Sequence, residues 1–527
     1  MNGNTRIRLI SIIKPLLMLI SISLSASIYA QKKSVNPSLE YTISMPDPAN
    51  RLLNVALECK GLNMDTVYFK IPRWMPGYYQ MLNYYTGIRN FSAQTLKGTA
   101  ITFEKTDSST WRIVAQGNSG LRINYDVYSD KRFVAQNYLD TTHAYIVTAA
   151  TLMYPDGLMN MPVNVTVIPY GKWSNVTTGL EKQSGNGFRY TAQDFDILYD
   201  CPILTGNLEE LPSFTVDGVI HRFIAYNPGQ FDREAFISSL EKTIRAGIEI
   251  IGEIPYKEYT FIGIGSGAGG IEHLNNTTVP FNGARLGNPE SLKGTLKFLA
   301  HEYFHNYNVK RIRPFELGPF DYSKEARTNL LWFSEGVTVY YEYLMLSRAG
   351  IINANELFSS LESNINAVEN DPGRKYQSLV QASYQTWSDG PFGNSSSGSD
   401  RSISVYDKGA VVGFILDLKI RNATANKKSL DDVMRYLYAT YYKKLQRGFT
   451  DAEFQEACEN IAGVSLNTEF EYVYTTKDID YTEYLTGAGL KISEVMDPAN
   501  SKRKLTIALQ DNPTVLQTAT FRSWSGN

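Results

Sequence analysis

Cysteine is scarce. The 527 residues hold three, Cys59, Cys201 and Cys458, far apart and with no CxxC pair. A disulfide framework is excluded at this size; one bridge is the most that could form, and buried free thiols are the expected state. Charge of one sign is missing too. Lys and Arg number 51 against 53 Asp and Glu, mixed along the chain, for a net charge of −2. A nucleic-acid partner would need a basic face, so none is expected. Apart from one N-terminal run, no stretch is long and apolar enough to span a membrane. Histidine is also rare, with five in the whole chain, which gives weight to any place where two fall together.

The one apolar run extends from Pro15 to Ala30, after a basic start at Arg6, Arg8 and Lys14, and is diluted by four serines. This pattern predicts a cleavable signal peptide over residues 1–30, and hence a periplasmic or secreted protein with no stable membrane span after cleavage. No cysteine follows the run, so a lipid-modified N-terminus is not expected. The bulk composition, 43% hydrophobic and 20% charged, is that of a globular chain. Its length calls for about three domains.

Residues 38–227 read as an all-β domain, a sandwich. Segments such as Leu121 to Tyr128 alternate apolar and polar side chains between Gly, Asn and Asp clusters. The stretch IPRWMPGYY, Ile71 to Tyr79, holds two prolines and a glycine and predicts a rigid turn with exposed aromatics. The period then changes. Phe236, Leu240, Ile244, Ile248 and Ile251 fall on one helical face, with Asp232 as N-cap. Residues 228–476 read as mostly helical, broken by a loop from Ser388 to Ser402. Residues 477–527 are weakly patterned. The fold class is multidomain α+β.

The chemistry is concentrated in HEYFH, His301 to His305. Histidines four apart on a helix lie one turn apart on the same face, so both imidazoles can reach one metal ion. Glu302 beside them can take a proton from a water whose pKa a zinc ion lowers. A third ligand is needed. Glu335 lies in the apolar stretch LLWFSEGVTVYYEY, where an unpaired carboxylate would be costly, and is favoured. Glu325, among polar neighbours, and Glu342, two turns further on, are the rivals. One Zn2+ per chain is expected.

At these residues the sequence resembles the glycyl aminopeptidase family of gluzincin zinc metallopeptidases. HEYFHNYNVKRIRP and LWFSEGVTVYY resemble its histidine and third-ligand motifs, and IPRWMPGYY its N-terminal aromatic turn; the likeness covers roughly residues 38–490. The resemblance implies a thermolysin-like catalytic domain and hydrolysis of peptide substrates. It gives meaning to Gly269-Gly270-Ile271-Glu272-His273, similar to a cleft strand that binds the substrate N-terminus; Glu272 would hold the ammonium group. It likewise makes Tyr406, in VYDKGA, the donor to the developing oxyanion. Release of N-terminal residues is the activity implied. An endopeptidase with an open cleft is the alternative, and a non-catalytic binding protein the less favoured one. The family usually continues into a PDZ domain, but only 40 residues follow Gly487, so either that domain is missing or 477–527 is a remnant of one. Lys310, Arg311 and Arg313 are read as satisfying the end of the histidine helix.

Overall fold

A computed structural model of the chain describes residues 37–526, apart from 63, 116, 119 and 498–501. The proposed signal peptide lies outside the described residues. Those described form a mixed α+β fold, with β-sheets first and helices after.

The N-terminal strands lie in a seven-stranded sheet and two four-stranded sheets. Alternation builds them: Ser38–Ser44 and Leu52–Lys60 bury every second residue, and the two pair antiparallel. Their inward faces share one core with Val67, Phe69, Trp111 and Ile113 of the neighbouring sheet. The three cysteines are free and buried.

The next sheet carries the histidine helix. Its outer strand is Ile271–Glu272, antiparallel to Asn276–Val279, which runs parallel to Glu258–Gly263; that strand in turn runs parallel to Val219–Tyr226. A boundary at 227/228 therefore cuts through one sheet. Alternation reveals that 219–226 is a strand but not which sheet takes it. The sheet lies between two cores, because successive side chains point to opposite faces. Phe261 joins the helical core and Ile262 the β core.

The helix Arg233–Ile251 forms with Asp232 as its cap, accepting the Ala235 N–H at 3.0 Å. The helix Pro289–Phe304 carries His301, and His305 stands at its C-cap with backbone still helical. Residues Trp332–Val337 wind as a wide π-turn before the α-helix Thr338–Arg348. Such turns recur at functional sites. Against them packs the helix Val405–Ala423. The crossing is close because it is made of glycines: a Cβ on Gly336 would stand 2.4 Å from Gly409 Cα, and one on Gly409 would stand 2.5 Å from the Trp332 carbonyl. That contact brings Glu335 and Tyr406 to the same place.

The C-terminal segment is a hairpin, Leu490–Met496 with Arg503–Leu509, followed by the helix Val515–Ser525. It docks on the helical core rather than standing apart. Asn366 on the helix Ala354–Glu369 bonds the Leu505 backbone on both sides, and buried Trp524 donates from Nε1 to the Tyr340 hydroxyl at 2.7 Å. Among the described residues, no helix is long and apolar enough to cross a membrane.

Candidate metal centre and cleft

The two imidazoles and Glu335 converge. His301 Nε2 and His305 Nε2 are 3.0 Å apart, and Glu335 Oε2 lies 3.6 and 3.4 Å from them. Donors about 2.0–2.1 Å from a tetrahedral zinc ion stand about 3.3 Å from one another, so this triangle is the size zinc needs. The outward nitrogens are fixed as well. His301 Nδ1 is 2.7 Å from Glu342 Oε2, and His305 Nδ1 is 2.7 Å from the Asn308 carbonyl. Both partners can only accept, so each Nδ1 carries the proton and each Nε2 presents a lone pair to the centre. Glu342, weighed as a rival ligand, thus stands behind His301. Glu325 pairs with Arg327 on the surface. Burial works against ionisation of Glu335, but His305 and His301 hold it well below the usual carboxylate range. The residues present therefore fit a zinc ion by donor type, spacing and charge.

Glu302 is buried, with Oε2 unpartnered. Burial, against the pull of His301 and His305, pushes its carboxyl up to about 8. A cation in the triangle would draw it down again. Gly270 makes room for this side chain: a Cβ there would be 2.1 Å from Glu302 Oε1. Gly269, in a left-handed conformation with φ of 81°, turns the chain into the outer strand. Glu272 ends that strand, buried, with Oε1 making no hydrogen bond. The Tyr406 ring lies 6.1 Å from that of His301. Burial first, then the charges of Glu335 and Glu272, push its phenol well up, which keeps it a donor.

The turn IPRWMPGYY differs from expectation. Its aromatics Trp74 and Tyr79 are buried, because the turn inserts between the β core and the helical part. The Tyr79 hydroxyl donates to Glu335 Oε1 at 2.7 Å. Gly77, at φ 87°, leaves no room for a side chain over Glu272: a Cβ would lie 2.6 Å from its Oε2. Sequence reasoning missed Tyr79 as a site residue. Its motif was visible, but its partner lies 256 residues away and no local pattern encodes that contact.

Lys310 and Arg313 also differ from their expected role, while Arg311 does bond carbonyls, including that of Asn306 at 2.7 Å. Lys310, largely shielded from solvent, lies 2.9 Å from Asp200 Oδ1 and 3.7 Å from Glu272 Oε1. Asp200 further accepts the Leu274 N–H at 2.7 Å and faces His273 Nδ1 at 3.3 Å. Burial alone would raise the Asp200 carboxyl; the Lys310 charge and the His273 hydrogen bond outweigh it and bring it down to about 2. A carboxyl lowered on folding, from about 3.9, stabilises fully above its unfolded pKa and loses that contribution as pH falls through the folded one. Asp200→Asn should therefore cost about 3–5 kcal/mol at neutral pH, because Lys310 loses its nearest partner. The gap in thermal midpoint from wild type should narrow between about pH 4 and pH 2. A gap constant across that window would show that the charge of Asp200 contributes nothing.

A family model described as the Peptidase M61 N-terminal domain matches residues 40–207, and one described as M61 glycyl aminopeptidase matches residues 294–412. No curated protein matches. Among solved structures, an aminopeptidase N family protein from Idiomarina loihiensis is similar at 25% identity and TM-score 0.80, over 86% of this chain and 79% of that one. An M1 zinc metallopeptidase from Deinococcus radiodurans, at 15% identity and TM-score 0.53 over 84% and 94%, shares the fold. So does yeast LTA4 hydrolase, solved in complex with bestatin, at 14% and 0.51 over 86% and 70%. The two M61 domain models together span more than half of the 527 residues, and the chain belongs to the M61 family of glycyl aminopeptidases.

Proposed function

We propose that this peptidase releases the first residue of peptides, with one zinc ion on His301 Nε2, His305 Nε2 and Glu335. Bound there, zinc supplies a Lewis acid that lowers the pKa of water and polarises the scissile carbonyl. The unpartnered Oε2 of Glu302 accepts the proton of the attacking water and returns it to the leaving amine. The Tyr406 phenol donates to the carbonyl oxygen as charge develops on it. Gly269 and Gly270 lead into an edge strand, whose free side can pair with an extended peptide.

The observation that carries the exopeptidase reading is the end of the cleft. Glu272 offers a buried oxygen without a hydrogen bond, and the turn at Gly77 lies directly against its carboxylate, crowding that end of the cleft. A substrate ammonium held at Glu272 would therefore be the last group admitted. Glu272→Ala should raise KM for free-amine peptides at least about tenfold and leave N-acetylated ones unaffected, since only the free amine is charged. If wild type cleaved both kinds equally and Glu272→Ala changed neither, endopeptidase would be the better reading.

Tyr79→Phe removes the hydrogen bond that orients Glu335 and keeps the ring. Zinc affinity, measured by chelator competition, should fall about 10–100-fold with the fold intact. The basic start and the apolar run 15–30 support export to the periplasm or beyond. A mature N-terminus at Gln31 would bear that out, and retention of Met1 would refute it.

A further inference from the structure

The run KRIR, Lys310 to Arg313, carries three positive charges that the proposed reaction does not use. All three residues line a cavity of about 510 Å3, which Lys443 and Arg447 line as well; Glu253 is the one carboxylate in its wall. In a chain whose cations and anions nearly balance, this is a local excess of positive charge.

Three of the five cations are neutralised. Lys310 lies 2.9 Å from Asp200, Lys443 2.7 Å from Glu253 and Arg447 2.6 Å from Glu453. Arg311 and Arg313 are different. Arg311, 6% exposed, donates from Nη1 to the carbonyls of Leu274 and Asn306 at 2.9 and 2.7 Å, and from Nη2 to that of Pro255 at 3.2 Å; its Nε has no partner. Half-buried Arg313 donates from Nη1 to the Leu317 carbonyl at 2.9 Å. Carbonyls satisfy the hydrogens but do not neutralise the charge, and among the described residues neither guanidinium forms an ion pair. Burial works against the Arg313 charge, and the attraction of Asp196 does not make up the difference. Shielding a charge from water is offset by an opposite charge at close range. We propose that this cavity binds an organic oxyanion, a carboxylate or phosphate group held by Arg313 and Arg311, with its organic body against Tyr438 and Tyr442.

The donors and the volume argue for that class. Arg313 keeps Nε and Nη2 for a ligand, and such a pair meets two oxygens of a carboxylate or phosphate side by side. Arg311 contributes its charge from the wall. The rings of Tyr438 and Tyr442 lie 5.1 Å apart, tilted by 37°, and offer apolar surface beside the charges. A cavity of about 510 Å3 is the size of a small-molecule site rather than of a bare ion, so the oxyanion arrives on a larger body.

The test is calorimetric titration of the zinc-loaded enzyme with N-acetyltyrosine, phenyl phosphate and N-acetyltyrosinamide. Low ionic strength is used because salt screens such contacts. The two anions should saturate one site, the tighter of them naming the oxyanion, and the neutral amide should bind at least about tenfold more weakly. Arg313→Gln should weaken both anions about tenfold or more, while keeping an amide donor for the Leu317 carbonyl. Gln446→Glu, an exposed change in the cavity wall, adds a negative charge and should weaken them about threefold; it serves if Arg313→Gln fails to fold. Anions seated on the zinc instead would bind both variants as tightly as wild type. That result, or equal affinity for the acid and its amide, would overturn the inference.

Discussion

Glu302→Gln should leave zinc bound at wild-type level and reduce kcat by about 10³-fold or more, toward the upper end of what a lost general base costs. The amide keeps the shape that fits against Gly270, where a Cβ would stand 2.1 Å from Glu302 Oε1, so the strand and the histidine helix need not move. What it loses is a basic oxygen. Glu302 Oε2 is buried and has no partner in the protein, so nothing else accepts a proton at that point. Folding should not suffer, because burying a neutral amide costs less than burying a carboxylate. The measurements are metal content, thermal midpoint and kcat on one free-amine peptide. Near-wild-type turnover with zinc present would remove Glu302 from the role of base. Loss of zinc would mean that Glu302 supports the metal rather than the water.

What could be read from the sequence follows the range of the contacts. The pairing of His301 with His305 is a property of one helical turn, and the apolar surroundings of Glu335 are local as well. Both were legible for that reason. Tyr79 was not, because its hydrogen bond to Glu335 joins the β part to the helical part. A turn rich in proline, glycine and aromatics reads as a surface feature, and only the packing of Trp74 against Phe320 and Trp387 buries it. The Asp200–Lys310 pair spans 110 residues and had no local sign. The C-terminal hairpin was missed for another reason: beyond Leu490 its first strand is mostly exposed, so no apolar alternation marks it. Its attachment comes instead from Asn366, Asn370 and the tryptophan of the last helix.

Glu335→Ala should abolish stoichiometric zinc. Glu335 is the one anionic corner of the triangle and is 2% exposed, so no solvent-borne carboxylate can replace it there. Its removal leaves two imidazoles 3.0 Å apart and the Tyr79 hydroxyl without its acceptor. The loss in affinity should exceed the about 10–100-fold that removal of an outer partner costs. The two rival glutamates provide the scale. Glu325→Ala should keep full zinc, because it breaks only a surface pair with Arg327. Glu342→Ala should fall between, since it frees His301 Nδ1 but leaves all three donors. Metal analysis after gel filtration ranks the three, and a second readout needs no turnover. Zinc binding only the folded state should raise the thermal midpoint of wild type and of Glu325→Ala, but not that of Glu335→Ala. If Glu342→Ala lost more zinc than Glu335→Ala, the third donor would be Glu342, and Glu335 would be a buried partner of the histidines.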